Sequence, residues 1–173
     1  MRVIFCALPC LAICSLPAFA QGTLAKADQQ FLDTAAQTDM MEAHLGQLAA
    51  QQAASSEIKD YAQMLVTDHT NDYTQLGTLA TKAGGTIPKG LDAQHEKMIA
   101  PFEKLKGAAF DQRYVREMIA GHTKAIAAYK AEAAKGENAD VKSYADQALP
   151  TLQKHLQGAQ DLLKSKSKTR LAK

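Results

Sequence analysis

Apolar residues recur every three to four positions through four long segments of this 173-residue chain, and that spacing leaves few folds open. A helix turns about 100° per residue, so residues so spaced form one stripe. Ile58, Tyr61, Ala62, Leu65, Leu76 and Leu79 share such a stripe. Upstream the stripe is Phe31, Leu32, Ala35, Ala43, Gly46, Ala49 and Ala53. Downstream it is Tyr114, Val115, Met118, Ala125, Ile126 and Tyr129, and then Val141, Tyr144, Ala145, Ala148, Leu152, Ala159 and Leu163. No segment reads as a strand. Valine and isoleucine are sparse, and Ala, Gln, Lys and Leu, all good helix formers, dominate.

The punctuation between stripes sets the topology. The first helix is expected from about Lys26 to Ala54, broken by Ser55-Ser56-Glu57, where a serine can cap the next helix. The second runs from Glu57 to Lys82 and ends at Gly84-Gly85, because glycine tolerates the left-handed turn of a C-cap. A short helix over Asp92–Lys104 carries Pro101, which predicts a kink. The third long helix spans Ala108–Lys135 and stops at Gly136. Asn138 caps the fourth, Ala139–Leu163. Two tight turns and one long connection predict an all-α, ferritin-like four-helix bundle whose crossover carries a short extra helix. "EIKDYA" (Glu57–Ala62) and "DVKSYA" (Asp140–Ala145) open the second and fourth long helices and suggest two related hairpins.

The ends speak to compartment. Arg2, an apolar run from Val3 to Leu16, Pro17 and Ala18-Phe19-Ala20 form a secretory signal, with cleavage expected after Ala20. Residues 21–163 then make one domain, in a periplasmic or otherwise exported protein. Cys6, Cys10 and Cys14 all fall in the signal, so the mature chain has no disulfide or thiol chemistry. Basic residues gather in 164–173 as Lys164, Lys166, Lys168, Arg170 and Lys173, without an acid. Such an end reads as a disordered, solvated tail, able to touch anionic lipid peripherally. No nucleic-acid partner is expected, since no aromatic residue is interleaved with the charges. Nucleophilic catalysis finds no Gly-x-Ser-x-Gly elbow, phosphate loop or cysteine to work with.

One ligand-type residue sits on the stripe of each long helix: Glu42, His69, His122 and His155. Asp39 shares the face of Glu42, while Asp68 flanks His69 off the stripe centre. His44 and His95 lie off the stripes. Glu42 and His69 are about equally far from the turn at Ser55, and His122 and His155 from the turn at Glu137. At about 1.5 Å per residue the four fall within a turn or so of one level. A buried carboxylate is costly without a partner. Two readings follow. The four are ligands of a single transition-metal ion, with Asp68 behind them, since imidazole and carboxylate are a common donor set. Alternatively they form a buried hydrogen-bond network fed by the hydroxyls of Tyr61, Tyr114, Tyr129 and Tyr144. The Glu-x-x-His pairs of di-iron bundles do not occur, so the metal reading is mononuclear. Pro150, five residues before His155, predicts a bend, which either wraps the helix around the core or aims this histidine inward.

"FLDTAAQTDMMEAHLGQLA", "YAQMLVTDHT", "GAAFDQRYVREMIAGHTKAIAAY" and "ALPTLQKHL" together resemble the domain of unknown function 4142 family, from about Ala25 to Leu163. The resemblance implies an exported protein with a ferritin-like helical bundle, and no established activity. The family pattern falls on Glu42, Leu45, Gly46, Asp68, His69, Tyr114, His122, Pro150 and His155. This chain departs from it at Gly121, where the family commonly places an acid before the histidine.

Overall fold

The structure, a computed structural model, describes residues 24–171, with side chains through residue 165. The expected signal peptide therefore lies outside the described residues. Five helices follow in order: α1 (Lys26–Gln52), α2 (Ser56–Lys82), α3 (Ala93–Glu103), α4 (Gly107–Lys135) and α5 (Ala139–Leu171). No strand occurs among the described residues, and none of their helices is long and apolar enough to cross a membrane.

Local chemistry sets these boundaries. The Ser55 side chain accepts the Ile58 N–H, and Asn138 accepts from Asp140 and Val141 at the start of α5. Both satisfy N–H groups that a first helical turn leaves free. Gly84 takes φ +79°, and the Gly85 N–H returns to the Ala80 carbonyl, closing α2 as a C-cap of the left-handed kind. α1 ends at Gln52 rather than Ala54. The carboxylate of Asp111 on α4 takes the N–H groups of Ala54 and Ser55, at 3.0 and 3.2 Å, pulling them out of the helix.

The mirror contact stands at the opposite end. Asp28 on α1 accepts from Glu137 and Asn138, at 3.0 and 2.7 Å, in the α4–α5 turn. Each hairpin thus supplies a buried aspartate that caps the turn of the other. The same register pairs Ser55 with Asn138, Ile58 with Val141 and Tyr61 with Tyr144. It also relates two tyrosine bonds. Tyr61 Oη donates to the His155 carbonyl, and Tyr144 Oη to the Asp72 carboxylate. The related hairpins expected from "EIKDYA" and "DVKSYA" are present in the packing.

α1 packs along α2 and α4 along α5, and the hairpins meet through α1 with α4 and α2 with α5. Gly46 permits the first pairing. A Cβ there would lie 2.6 Å from the Val66 side chain and 3.0 Å from the Ala62 carbonyl oxygen. The crossover is fastened by two glutamines of α1. Gln37 donates to the Gly90 carbonyl and accepts from the Asp92 N–H, and Gln29 does the same with both backbone groups of Thr86. From the crossover α3 buries Ile99 and Phe102. It continues through Pro101 as one helix.

Two differences from the sequence reading concern α5. The helix runs to Leu171, although a disordered tail was expected after Leu163. Residues 164–171 contain no glycine or proline to stop it, and basic side chains are favourable at a helix C-terminus. Leu163, placed on the apolar stripe, is 37% exposed. Pro150 is exposed and α5 continues through it.

The core comes in two parts. One joins Leu45, Ile58, Leu65, Phe102, Phe110, Val115 and Met118 near the α1–α2 turn. The other joins Phe31, Leu32, Leu76, Tyr129, Val141 and Leu152 near the α4–α5 turn. Between them lies a layer of buried polar side chains.

Candidate metal centre

That layer is built by Asp39 and Glu42 from α1, His69 from α2, His122 from α4 and His155 from α5. Asp39 and Glu42 are three residues apart and so project from one helix face. All five are almost fully buried, none more than 3% exposed. The four stripe residues singled out from sequence are brought together at one level. His44 is exposed, and His95 is engaged with Asp92 at the start of α3.

Each histidine is anchored through one ring nitrogen. His69 Nδ1 is 2.9 Å from Asp39 Oδ1. His122 Nδ1 donates to the Met118 carbonyl, one turn back on α4, at 2.9 Å. His155 Nε2 is 2.9 Å from Asp68 Oδ2. A carbonyl or carboxylate oxygen accepts, so these contacts place a proton on the anchored nitrogen and assign the lone pair of a neutral ring to the other. The other nitrogens, His69 Nε2, His122 Nε2 and His155 Nδ1, are buried without a hydrogen-bond partner, as is Glu42 Oε2. They converge. The three rings stand 5.2–5.7 Å apart by centroid, and one nitrogen from each lies within 4.8 Å of the others. Glu42 Oε2 approaches His69 Nε2 to 2.9 Å and His122 Nε2 to 3.3 Å, as close contacts of opposite charge and dipole rather than aligned hydrogen bonds.

Electrostatics divides the imidazoles into two kinds. Burial holds the His122 ring below the ordinary histidine range and pulls His155 down to about 4, so both are neutral near pH 7. Burial would do the same to His69, but Glu42 and Asp39 flank it and carry it up to about 10. Burial likewise works against the charge of Glu42, and the surrounding imidazoles outweigh it and keep the carboxyl below its usual range. Asp39 is pushed up to about 7 by burial, against the pull of His69. In this state the cluster holds a charged His69–Glu42 contact beside two neutral imidazoles.

Asp39 is the contributor that the stripe analysis did not advance as a site residue. Its signal was its place on the Glu42 face of α1. Asp68 does not pair with its chain neighbour His69. It reaches across to α5, with 40% of its side chain exposed. Gly121 stands against Glu42, where a Cβ would come within 3.1 Å of Oε1. In this chain an acid at this position would crowd and repel that carboxylate. The tyrosines proposed for a network do not serve it. Tyr61 bonds a backbone carbonyl, Tyr144 bonds Asp72 and contacts Tyr129, and Tyr114 Oη has no partner.

The family described as a domain of unknown function (DUF4142) matches residues 15–162. No curated protein matches the sequence. Among solved structures, CopM in its Cu(I)-bound form superposes with a TM-score of 0.65 at 15% identity, over 80% of this chain and 96% of that one. CopM in the apo form gives 0.63 at 17% identity, over 80% and 96%. A dodecameric thioferritin, the bacterioferritin-related protein from Bacteroides fragilis, gives 0.69 at 15% identity, over 88% and 94%. At these identities the likeness is one of fold.

Proposed function

The chain belongs to the DUF4142 family, and from that premise we propose that it is an exported ferritin-like four-helix bundle that holds one transition-metal ion in its core. Glu42, His69, His122 and His155 are the ligands. Asp39, the Met118 carbonyl and Asp68 orient the three rings through their other nitrogens. Carboxylates and carbonyls behind ligating histidines are the usual support of such sites. The carrying observation is the convergence of one nitrogen from each of three buried imidazoles, with the Glu42 carboxylate against two of the rings. Buried polar atoms in native proteins find partners; Glu42 serves His69 as a close charged contact, and an ion would also serve His122 Nε2 and His155 Nδ1.

The donor set contains no sulfur. It suits borderline ions such as Zn(II), Co(II) or Cu(II) better than soft ones. The metal-bound forms of CopM support metal binding on this fold, and the thioferritin supports the ferritin-like assignment. To serve as a ligand, His69 would have to release the proton that Glu42 and Asp39 hold on it, so uptake would be coupled to proton release. Sequestering a reactive ion in the envelope serves redox protection.

The short His69–Asp39 and His155–Asp68 contacts also favour a second reading, a structural polar layer without metal. The experiment that separates them is elemental analysis of untagged protein purified from its native compartment. Near-stoichiometric metal is expected. Metal-free protein whose melting temperature ignores added Zn(II), Co(II) and Cu(II) would leave only the structural layer.

A further inference from the structure

A cleft of about 440 Å³ opens between α2 and α5 and reaches the histidine cluster from the side. His69 and His155 form part of its floor, and Asp68, Asp72, Thr151 and Lys154 line it. We propose that this cleft is the route by which a hydrated divalent cation enters the bundle, with Asp68 receiving it at the inner end. The proposal rests on the metal reading above and adds where the ion passes.

Three features carry it. First, His155 is 1% exposed with Nδ1 unpartnered, yet it borders the cleft. Second, Asp68 belongs to both environments. Its carboxylate touches His155 Nε2 at 2.9 Å while 40% of the side chain is open to solvent. A cation held there is one imidazole away from the converging nitrogens. Third, Asp68 and Asp72 outweigh Lys154 in the lining, and a low-dielectric cleft with a net negative wall concentrates cations. The groove on the opposite side, between α1 and α2, reaches only His69 of the three histidines. There His69 Nδ1 and Asp39 are already engaged with each other.

Stopped-flow uptake of Co(II) by the full metal-free mature protein, read by visible absorption, tests the route. Thr151 and Lys154 are exposed and lie outside the ligand set, so their replacement leaves the fold and the ligands in place. Thr151→Trp plugs the cleft, and the association rate should fall tenfold or more with the final stoichiometry unchanged. Lys154→Glu adds to the negative wall and should raise the rate several-fold at low salt, with the gain shrinking as salt is added. Gln47→Trp, in the opposite groove, should leave the rate as it was. Parent-like rates in Thr151→Trp and Lys154→Glu, in a protein that still binds Co(II), overturn the entry route and leave the metal site standing. Slowing by Gln47→Trp alone moves entry to the α1–α2 side and overturns it too. Failure of the parent protein to bind Co(II) at all removes both.

Discussion

Asp68 stands beside His69 in the chain, but its carboxylate is bound to His155 on α5, and His69 is bound instead by Asp39 on α1. The two aspartates therefore hold two histidines by contacts that cross between helices. If they orient ligands, loss of either weakens metal binding without removing a donor atom. Asp39→Asn and Asp68→Asn should each lower affinity about 10–100-fold at unchanged stoichiometry, by competition against a chromophoric chelator. The Asp39 variant should suffer more, because its contact is wholly buried. Parent-like affinity in both would remove the orienting role.

His122 is fully buried and faces Glu42. In metal-free protein His122→Ala leaves a cavity and deprives the Glu42 carboxylate of a neighbouring dipole. Chemical denaturation should show a loss of about 2–4 kcal/mol. Metal at a hundred times its Kd should add about 2.7 kcal/mol to the parent and close to nothing to the variant. Equal metal stabilisation of the two would take His122 out of the ligand set.

Asp28 and Asp111 cap opposite turns and lie at opposite ends of the molecule. Each alanine substitution strands two backbone N–H groups and should cost about 1–3 kcal/mol. With no shared partner, the losses in the double variant should add to within about 0.5 kcal/mol. Strong non-additivity in thermal melts would mean that the hairpins do not close as two separate units.

The helices and the common level of the four stripe residues were legible because each rests on information local to one segment. Stripe spacing placed Phe31, Leu65, Met118 and Leu152 inside, and Ser55, Gly84 and Asn138 marked the turns. Symmetric distances from those turns then brought Glu42, His69, His122 and His155 to one layer. The partnerships were harder. That Asp68 meets His155 depends on α2 facing α5 at that depth, which no local pattern encodes. Asp39 lay on the right face, yet an acid on a stripe has no visible partner until the neighbouring helix is placed. The course of α5 past Leu163 was missed because charge density suggested solvation, while nothing in residues 164–171 breaks a helix.

Glu132 gives the fold a pH dependence away from the histidine layer. Burial, and then the charge of Asp28, raise its carboxyl from 4.5 to about 7, with Lys142 opposing. The folded chain therefore binds this proton more tightly than the unfolded chain. Its contribution is present in full below about pH 4.5 and is lost as pH rises through 7. Glu132→Gln keeps the shape, supplies an N–H toward Asp28 and removes the titration. Against the parent, its unfolding free energy should rise progressively between those limits and level off above them. By pH 8 the variant should be the more stable by about 1–3 kcal/mol. A difference that stays flat from pH 4 to 8 would show that Glu132 ionises in the folded state as freely as in the unfolded one, and that Asp28 caps its turn without help from a protonated neighbour.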